Sequence, residues 1–348
     1  MGFPCLSQTK VDKRAKNIIL LIGDGMGTTQ IYAAMVAKQG KLNLERCTDV
    51  GFSKTHTING SITDSGAGAT ALAIGQKTYG YAIGVDADKK IQVNIREIAE
   101  TNGLATGLVA TCSITHATPA SFIAHQPYRA MEEDIAADFL KSNIDVFIGG
   151  GRQFFTIRKD GRNLINELID KGYQISDTTD DFTKFHVGKL AAFTAGMHPK
   201  KMSEGRGDLL LHSTQTAIKL LNQNKKGFFL MVEGSQIDWG GHANDSQYII
   251  NEMLDFDKAI GAALDFAEKD GNTLVIITAD HETGGYAITD GNFLTGKVEG
   301  KFSTSGHTGV MVPVFAYGTG AGFFKGVYEN NTIFDKMMAA FRFKKKQK

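Results

Sequence analysis

Cysteine and proline are both scarce in this sequence, and their scarcity excludes two classes of protein. The 348 residues include only 3 cysteines and 5 prolines. Because Cys5, Cys47 and Cys112 are few and widely separated, they exclude a disulfide framework and a zinc site built from thiolates. We therefore predict that Cys5 is a plain free thiol. Five prolines beside 40 glycines exclude a disordered Gly/Pro-rich chain, and the glycines that follow apolar runs predict tight turns.

Long apolar runs and an excess of one charge are also missing. No run approaches the roughly 18 apolar residues that a membrane span needs, so we predict no membrane partner. A formal net charge of +1 gives no electrostatic basis for specific binding to nucleic acid. The start of the sequence lacks the basic and apolar segments of a secretory signal. This leaves two alternatives open, a cytoplasmic protein and an exported protein whose signal has been removed.

Short apolar runs alternate with helical stretches along the chain. Mostly unbroken runs of this length are typical of strands buried on both faces. The strands are predicted at Ile18 to Ile22, Gly107 to Thr111, Asp145 to Ile148, Phe228 to Val232, Leu274 to Thr278 and Val312 to Tyr317. The alternation predicts an α/β fold with a large, mostly parallel central sheet and helices on both faces. We interpret residues 1–348 as one domain, with about 151–207 as an inserted subdomain or a cover over the site.

Side chains suited to bind cations lie where four of these strands end and just before another begins. They are Asp24, Thr118, Glu233, Asp238, His242, Asp280, His281 and His307. A single Asp after a strand is usually a helix N-cap, but capping does not explain so many such residues. Because ligands of parallel sheets collect at the carboxyl ends of the strands, we predict a metal site there.

The chemistry of these side chains indicates which ions they suit. Asp and His without thiolates are typical of catalytic zinc, whereas oxygen ligands such as Glu233 and Thr118 suit magnesium. Two ions of one kind and one of another follow as an interpretation. Two metals about 3.5–4 Å apart can clamp the attacking and the leaving oxygen of an in-line displacement.

A run of small residues from Ser65 onward predicts the start of a helix. Free backbone N–H groups and the helix dipole favour an anion at such a position. The alternative is that Asp64 or Ser65 only caps the helix. The Gly-Ala-Gly that follows Ser65 is not a nucleotide-binding fingerprint, and no Lys-Ser/Thr pair follows to make a phosphate-binding loop of the NTPase kind.

These motifs come in a definite order along the chain. The blocks are Asp24 to Gly27, Thr63 to Ala71, Thr115 to Ala120, Glu233 to Asp238 with His242, Thr278 to Gly285, and Ser305 to Thr308. Together they resemble the motifs of bacterial alkaline phosphatases, in that family's order. The opening strand from Ile18 and a closing helix from about Thr332 to Phe341 also fit, so the resemblance covers nearly the whole chain. It implies the three-layer alkaline phosphatase-like fold.

The resemblance implies a role for each matched residue. Ser65 would be the nucleophile that is transiently phosphorylated, and Arg129 would grip the phosphate through two oxygens. It further implies two Zn²⁺ and one Mg²⁺. The first zinc would be held by Asp238, His242 and His307, the second by Asp24, Asp280 and His281, and the magnesium by Asp24, Thr118 and Glu233.

Two positions depart from the enterobacterial members, which carry an aspartate at His116 and a lysine at Trp239. A histidine and a tryptophan here are similar to some cold-environment bacterial members. We assign both residues to substrate binding, and an imidazole at the third site opens it to another divalent ion such as zinc or cobalt. The alternative interpretation is that Trp239 only packs beside the site and His116 binds nothing.

The resemblance implies hydrolysis of small phosphate monoesters through a phosphoserine intermediate, with broad specificity, an alkaline optimum and inorganic phosphate as product. It also implies a homodimer in the periplasm or outside the cell. Sulfatases of this fold need a Cys/Ser-x-Pro-x-Arg context, which Ser65 lacks. Diesterases and phosphoglycerate mutases of the same superfamily typically lack Arg129 together with a third metal set. A non-catalytic carrier of metal or phosphate has no need of a nucleophile.

Overall fold

The structure is a computed structural model that describes residues 13–177 and 181–344, so the free thiol predicted at Cys5 lies outside the described residues. The strands are β1 (Asn17–Gly23), β2 (Asp49–Lys54), β3 (Ala105–Ser113), β4 (Val146–Gly150), β5 (Tyr173–Ser176), β6 (Lys189–Phe193), β7 (Phe228–Gly234), β8 (Thr273–Thr278), β9 (Glu282–Thr283), β10 (Tyr286–Asn292), β11 (Lys297–Phe302), β12 (His307–Thr308), β13 (Val312–Gly318) and β14 (Gly326–Glu329). The α-helices are α1 (Thr28–Lys38), α2 (Ser65–Ile74), α3 (Ile95–Thr101), α4 (Ala117–Ala120), α5 (Glu132–Phe139), α6 (Gln153–Thr156), α7 (Leu164–Asp170), α8 (Leu209–Leu221), α9 (Ile237–His242), α10 (Ser246–Asp270) and α11 (Thr332–Phe341).

Ten strands of the described chain form one central sheet in the order β14-β2-β13-β8-β1-β7-β3-β4-β6-β5. Each neighbouring pair is parallel except the two that involve β13, which runs antiparallel to β8 and to β2. The predicted large, mostly parallel sheet is therefore confirmed. The direction of β13 could not be predicted, because a buried apolar run such as Val312 to Tyr317 has the same composition in either direction.

The central strand β1 shows why the sheet is covered on both faces. Ile18, Leu20 and Ile22 point into one apolar core, which they share with side chains of α2, α3 and α11. Ile19 and Leu21 point into the opposite core, which is formed with α1, α8 and α10. Because successive side chains of a strand alternate between faces, an unbroken apolar run needs a helical layer on each side. The three-layer arrangement follows from this.

Residues 151–207 contribute to the edge of the same sheet. The segment contains β5 and β6, which pair in parallel with each other, and β6 also pairs in parallel with β4, which precedes the segment. The shorter excursion after Gly285 is an antiparallel hairpin of β10 and β11.

In the described part of the chain, no helix has both the length and the apolar character that crossing a membrane requires.

A buried ion cluster anchors the segment before α8 to α10. The Arg206 guanidinium bonds to the carboxylates of Glu252 and Asp255, and all three side chains are at most 2% exposed. Removing the cation leaves two carboxylates buried and unpaired, so we expect Arg206→Met to lower the free energy of unfolding by about 3–5 kcal/mol. Urea denaturation measures this. The matched control is Arg46→Met at the exposed Asp265 and Glu268 pairs, where we expect a loss of about 1 kcal/mol or less. Equal effects of the two variants would contradict the assignment.

Candidate functional site

The carboxyl ends of β1, β3, β7 and β8 meet at one edge of the sheet, and most of the predicted ligands gather there. Asp24 directly follows β1, and Glu233 lies near the end of β7. Thr118 is on the short helix after β3, while Asp280 and His281 follow β8. All five of these side chains are at most 1% exposed.

Asp24, Asp280 and His281 form the first group of donor atoms. Each residue offers one donor atom within 4.8 Å of the others. His281 Nε2 lies 3.5 Å from Asp24 Oδ1 and 3.3 Å from Asp280 Oδ2. Both of these carboxylate oxygens are buried without a hydrogen-bond partner. Buried polar atoms are rarely left unpaired, so this group has the chemistry of a cation site.

Asp238, His242 and His307 surround a second position. His242 Nδ1 lies 2.6 Å from the Ser305 carbonyl, and His307 Nδ1 lies 2.8 Å from the Thr63 carbonyl. A carbonyl only accepts, so each Nδ1 carries a proton and each ring turns its Nε2 toward the site. The hydrogen bond to the Asp238 carboxylate raises the pKa of His242 to about 9. These two Nε2 atoms are 3.1 Å apart. Two facing lone pairs need a shared proton or a cation between them, and imidazoles oriented in this way are typical metal ligands.

His281 stands between the two groups. Its ring stacks on that of His307 with centroids 3.6 Å apart, and a donor atom lies within 4.8 Å of donor atoms of Asp238 and His307. Its Nδ1 is 3.2 Å from the Thr283 hydroxyl, which donates its own proton to Asp238. The hydroxyl therefore accepts from Nδ1–H, and His281 presents a bare Nε2.

Asp24, Thr118 and Glu233 outline a third position beside the first group. The Thr118 hydroxyl donates to Asp24 Oδ2 at 3.4 Å. Glu233 Oε2 accepts from Ser235 and from the Cys112 thiol, whereas Glu233 Oε1 is buried without a partner. This is an oxygen-rich pocket with one carboxylate oxygen left free.

The carboxylates are crowded and cut off from water. Burial, followed by the charges of Asp280 and Asp238, raises the pKa of Asp24 well above its ordinary value. Burial and the charges of Asp238 and Glu233 raise the pKa of Asp280 to about 8, and burial raises the pKa of Glu233. Desolvated like charges disfavour ionisation. Compensating cations would restore the ionised forms.

Ser65 is the first residue of α2 and faces this cluster. Its Oγ lies 3.3 Å from His281 Nε2, and the side chain is buried. Asp64 is the helix cap, and its carboxylate accepts from the backbone N–H groups of Gly66 and Ala67. A Cβ at Gly68 would lie 2.9 Å from the Asp280 carbonyl oxygen. The missing side chain therefore lets α2 approach the loop after β8 and brings Ser65 to the ligands.

Arg129 lies at the open side of the site. Its Nη1 donates to Asp64 Oδ2 at 3.0 Å, and its Nη2 lies 3.2 Å from His116 Nε2. Because a guanidinium only donates, His116 accepts through Nε2, and its Nδ1 has no partner. The side chain of Arg129 remains 21% exposed, so it can meet an anion that enters from solvent.

His116 and Trp239 pack as an aromatic cluster with His198. Trp239 meets His116 edge to face at 6.3 Å and His198 at 4.9 Å between ring centroids. The unprotonated Nδ1 of His198 accepts a hydrogen bond from the Ser113 backbone N–H at 3.0 Å. Burial, with the charge of Arg129, lowers the pKa of His116 to about 3. His116 is therefore neutral, and its one lone pair, on Nε2, accepts from Arg129.

Several residues at the site escaped prediction from the sequence. His198 lies within the irregular 151–207 segment, where no spacing relates it to the other residues. Thr283, beside a conspicuous Asp-His pair, gave no sign that it would orient both His281 and Asp238. Glu282 directly follows the Asp280-His281 pair, but its carboxylate accepts a hydrogen bond from Gln30 at 2.7 Å instead of joining the ligand cluster. The periodicity of apolar residues in the sequence does not show which polar side chains point into the site and which point away from it.

Comparisons with known proteins point to one family. The family described as alkaline phosphatase matches residues 15–301. The chain is 46% identical over 289 residues to alkaline phosphatase 3 of Bacillus subtilis, a match that covers 78% of this chain but 62% of that relative. It thus spans less than two thirds of that relative's length. It is 33% identical to the alkaline phosphatase of Escherichia coli, with 96% and 87% of the two chains covered.

A solved structure agrees with this match over almost the whole chain. The alkaline phosphatase from the Antarctic bacterium TAB5 is 45% identical, with a TM-score of 0.92. The comparison covers 96% of this chain and 100% of that chain. A histidine-to-aspartate mutant of the same protein, described with Mg bound in its M3 site, gives a TM-score of 0.91 at 44% identity, with 96% and 100% covered.

Proposed function

Because the chain belongs to the alkaline phosphatase family, we propose that it hydrolyses phosphate monoesters through a phosphoserine intermediate at Ser65. One observation carries the proposal. The Ser65 hydroxyl, at the start of a helix, lies 3.3 Å from an imidazole nitrogen whose ring is also in contact with two unpartnered carboxylate oxygens. A nucleophile, oriented ligands and a phosphate-binding guanidinium thus lie at one edge of the sheet.

The donor atoms suit divalent cations at all three positions. Asp238, His242 and His307 would hold one zinc, and Asp24, Asp280 and His281 would hold the other. The fit is supported by three Nε2 atoms that face the site and by carboxylate oxygens without partners. When bound, the ions supply Lewis acidity, which stabilises charge on the attacking and leaving oxygens and lowers the pKa of a hydroxyl or water.

A third cation would be held by Asp24, Thr118 and Glu233, and we propose Mg²⁺ there. Glu233 Oε1 is free to bind it, and the TAB5 mutant described with Mg in its M3 site supports a divalent ion in this family. His116 is close enough to Glu233 and Cys112, with donor atoms within 4.8 Å, to favour zinc or cobalt as substitutes. We assign His116 and Trp239 to the wall of the substrate site, beside Arg129.

The chain's own residues would carry the reaction in two displacements. Arg129, held by Asp64, places the phosphate by donating to two of its oxygens. Ser65 Oγ gives up its proton as it attacks phosphorus, the bond to the leaving oxygen breaks, and the released alkoxide takes up a proton to leave as the alcohol. Water then attacks the phosphoserine, the Ser65 Oγ–phosphorus bond breaks, and inorganic phosphate leaves. We propose broad specificity, because Arg129 and the ligand cluster contact the phosphoryl group that all phosphate monoesters share.

The test compares three esters of the same aryl alcohol: a phosphate monoester, a phosphate diester and a sulfate. We expect turnover of the monoester to exceed that of the other two by about 10³-fold or more, since Arg129 and the ligand cluster suit a dianion. A diesterase or sulfatase would reverse this order. Binding of phosphate without any turnover would support the alternative of a carrier.

Location and assembly are further proposals. We propose that the protein works in the periplasm or outside the cell and forms a homodimer. Both rest on the resemblance to bacterial alkaline phosphatases. Fractionation of the source cells and sedimentation of the purified protein test them.

A further inference from the structure

A cavity of about 620 Å³ lies at the open side of the proposed site. Arg129, His242 and His307 line one part of it, and Tyr81 lines another. This volume is in the range of pockets that bind small organic molecules and is larger than a phosphate group needs. The remaining space is therefore available to the part of the substrate that leaves.

Tyr81 is an exposed tyrosine that lines this cavity, and the exposed Tyr128 lies against its ring. Tyr81 is 52% exposed and Tyr128 is 50% exposed. Their rings meet edge to face, with centroids 5.8 Å apart and an interplanar angle of 64°. Paired aromatic rings that stay open to solvent offer flat apolar faces beside polar groups, which is the usual composition of a site for an aromatic ligand.

The backbone of Tyr81 is tied to the catalytic groups on both sides. Its N–H donates to Asp64 Oδ1 at 2.7 Å, and its carbonyl accepts from the Arg129 N–H at 2.8 Å. A Cβ at Gly66 would lie 3.4 Å from the Tyr81 carbonyl carbon. The position of Tyr81 is thus fixed relative to both the nucleophile's helix and the phosphate-binding arginine.

Tyr81 also has a strained backbone, with φ of 70°. A bulky residue in the left-handed region is uncommon, and such strain is concentrated at functional sites. The surrounding loops hold it in place. Ile83 and Gln126 form a two-bond bridge, and the Tyr79 hydroxyl donates to the Pro127 carbonyl at 3.0 Å. These contacts join the loop of Tyr81 to the loop of Tyr128.

We propose that Tyr81 and Tyr128 form an aromatic platform that binds the aromatic part of the leaving group. The platform would make nucleoside monophosphates and aryl phosphates better substrates than simple sugar phosphates. This inference rests on the proposed phosphomonoesterase function and adds a preference to it. Stacking of one base on an aromatic side chain changes affinity by about 5-fold to 150-fold.

Two substrates separate the effect of the aromatic platform from the effect of the phosphoryl-transfer step. Adenosine 5′-monophosphate and ribose 5-phosphate both release the primary 5′-oxygen of a ribose, and they differ in whether an aromatic base is present. The ratio of their kcat/KM values therefore cancels the reactivity of the phosphate ester. Because both rings are half exposed, we expect the lower part of the stacking range, a ratio of about 5 to 20 in favour of adenosine 5′-monophosphate.

The variants are Tyr81→Ala, Tyr128→Ala and the ring-retaining Tyr81→Phe. Tyr128→Ala serves as the second probe because its residue has an ordinary backbone, in case the loop of Tyr81 fails to fold. The matched control is Tyr32→Ala, an equally exposed tyrosine on α1 that does not line the cavity. We expect either platform alanine variant to lower the ratio to about 2 or less, mainly through KM, and Tyr81→Phe and Tyr32→Ala to retain it.

A ratio near 1 in the unchanged protein would overturn the platform, as would a ratio that survives both alanine substitutions. These outcomes leave phosphate monoester hydrolysis itself in place. If neither substrate nor an aryl phosphate is hydrolysed, the proposed function fails and the platform fails with it. The two failures are therefore distinguishable.

Discussion

Ser65→Ala is expected to lower kcat/KM for an aryl phosphate monoester by about 10⁴-fold or more. Removal of a covalent nucleophile commonly has an effect of this size, and what remains comes from binding and electrostatics. The hydroxyl lies 3.3 Å from His281 Nε2 and next to the helix cap that holds Arg129. The alanine variant keeps the ion pair between Asp64 and Arg129, so binding of inorganic phosphate should survive. Steady-state kinetics and inhibition by phosphate measure the two effects separately.

The control for this variant is Ser203→Ala. Ser203 is an exposed serine in a short 3-10 helix (Met202–Glu204), outside the ligand cluster. We expect its kcat/KM to stay within about 2-fold of the unchanged protein, because surface substitutions away from a site have small effects. Hydrolysis by Ser65→Ala at the unchanged rate would show that water attacks the substrate directly.

Removal of divalent ions is expected to cause the second-largest effect. Chelation should lower kcat by about 10³-fold or more, since the ions supply several kcal/mol of charge stabilisation. It should also lower the unfolding temperature by about 5–10 °C, because ions bound only to the folded chain stabilise it. Asp24, Asp280 and Glu233 would then be crowded without compensation in a buried site. Calorimetry, kinetics and metal analysis follow the three quantities.

Asp280→Asn and Asp265→Asn form a matched pair for the metal prediction. Asp280 is buried in the ligand cluster, and Asp265 is an exposed partner of Arg46. We expect the first variant to bind fewer ions per chain and the second to bind as many as the unchanged protein. Full activity after analytically verified loss of all ions would contradict the assignment of the cluster.

The sequence predicted the central strands well, because buried strands need long apolar runs. The edges of the sheet were harder. The segment Asp49–Lys54 alternates between exposed and buried positions and contains three polar side chains. It forms a strand because it pairs with β13 and β14. Such tertiary pairing overrides the weak local pattern.

The candidate site shows the same division. The order of strand-end residues predicted that Asp24, Asp280 and His281 would gather, since parallel strands end at one edge. The orientations of the His242 and His307 rings could not be predicted, because they are set by the carbonyls of Ser305 and Thr63, which are distant in sequence. The exposed tyrosines also gave no periodic pattern. Their importance depends on loop contacts that only the folded chain reveals.

The most direct test is to trap the intermediate. The protein is mixed with excess aryl phosphate, quenched in acid within the first turnover and digested, and the masses of the peptides are measured by mass spectrometry. We expect the peptide that contains Ser65 to gain one phosphoryl group and to lose it when the quench follows exhaustion of the substrate. Phosphate on another residue, or turnover with this peptide never modified at any quench time or pH, would contradict a covalent mechanism at Ser65.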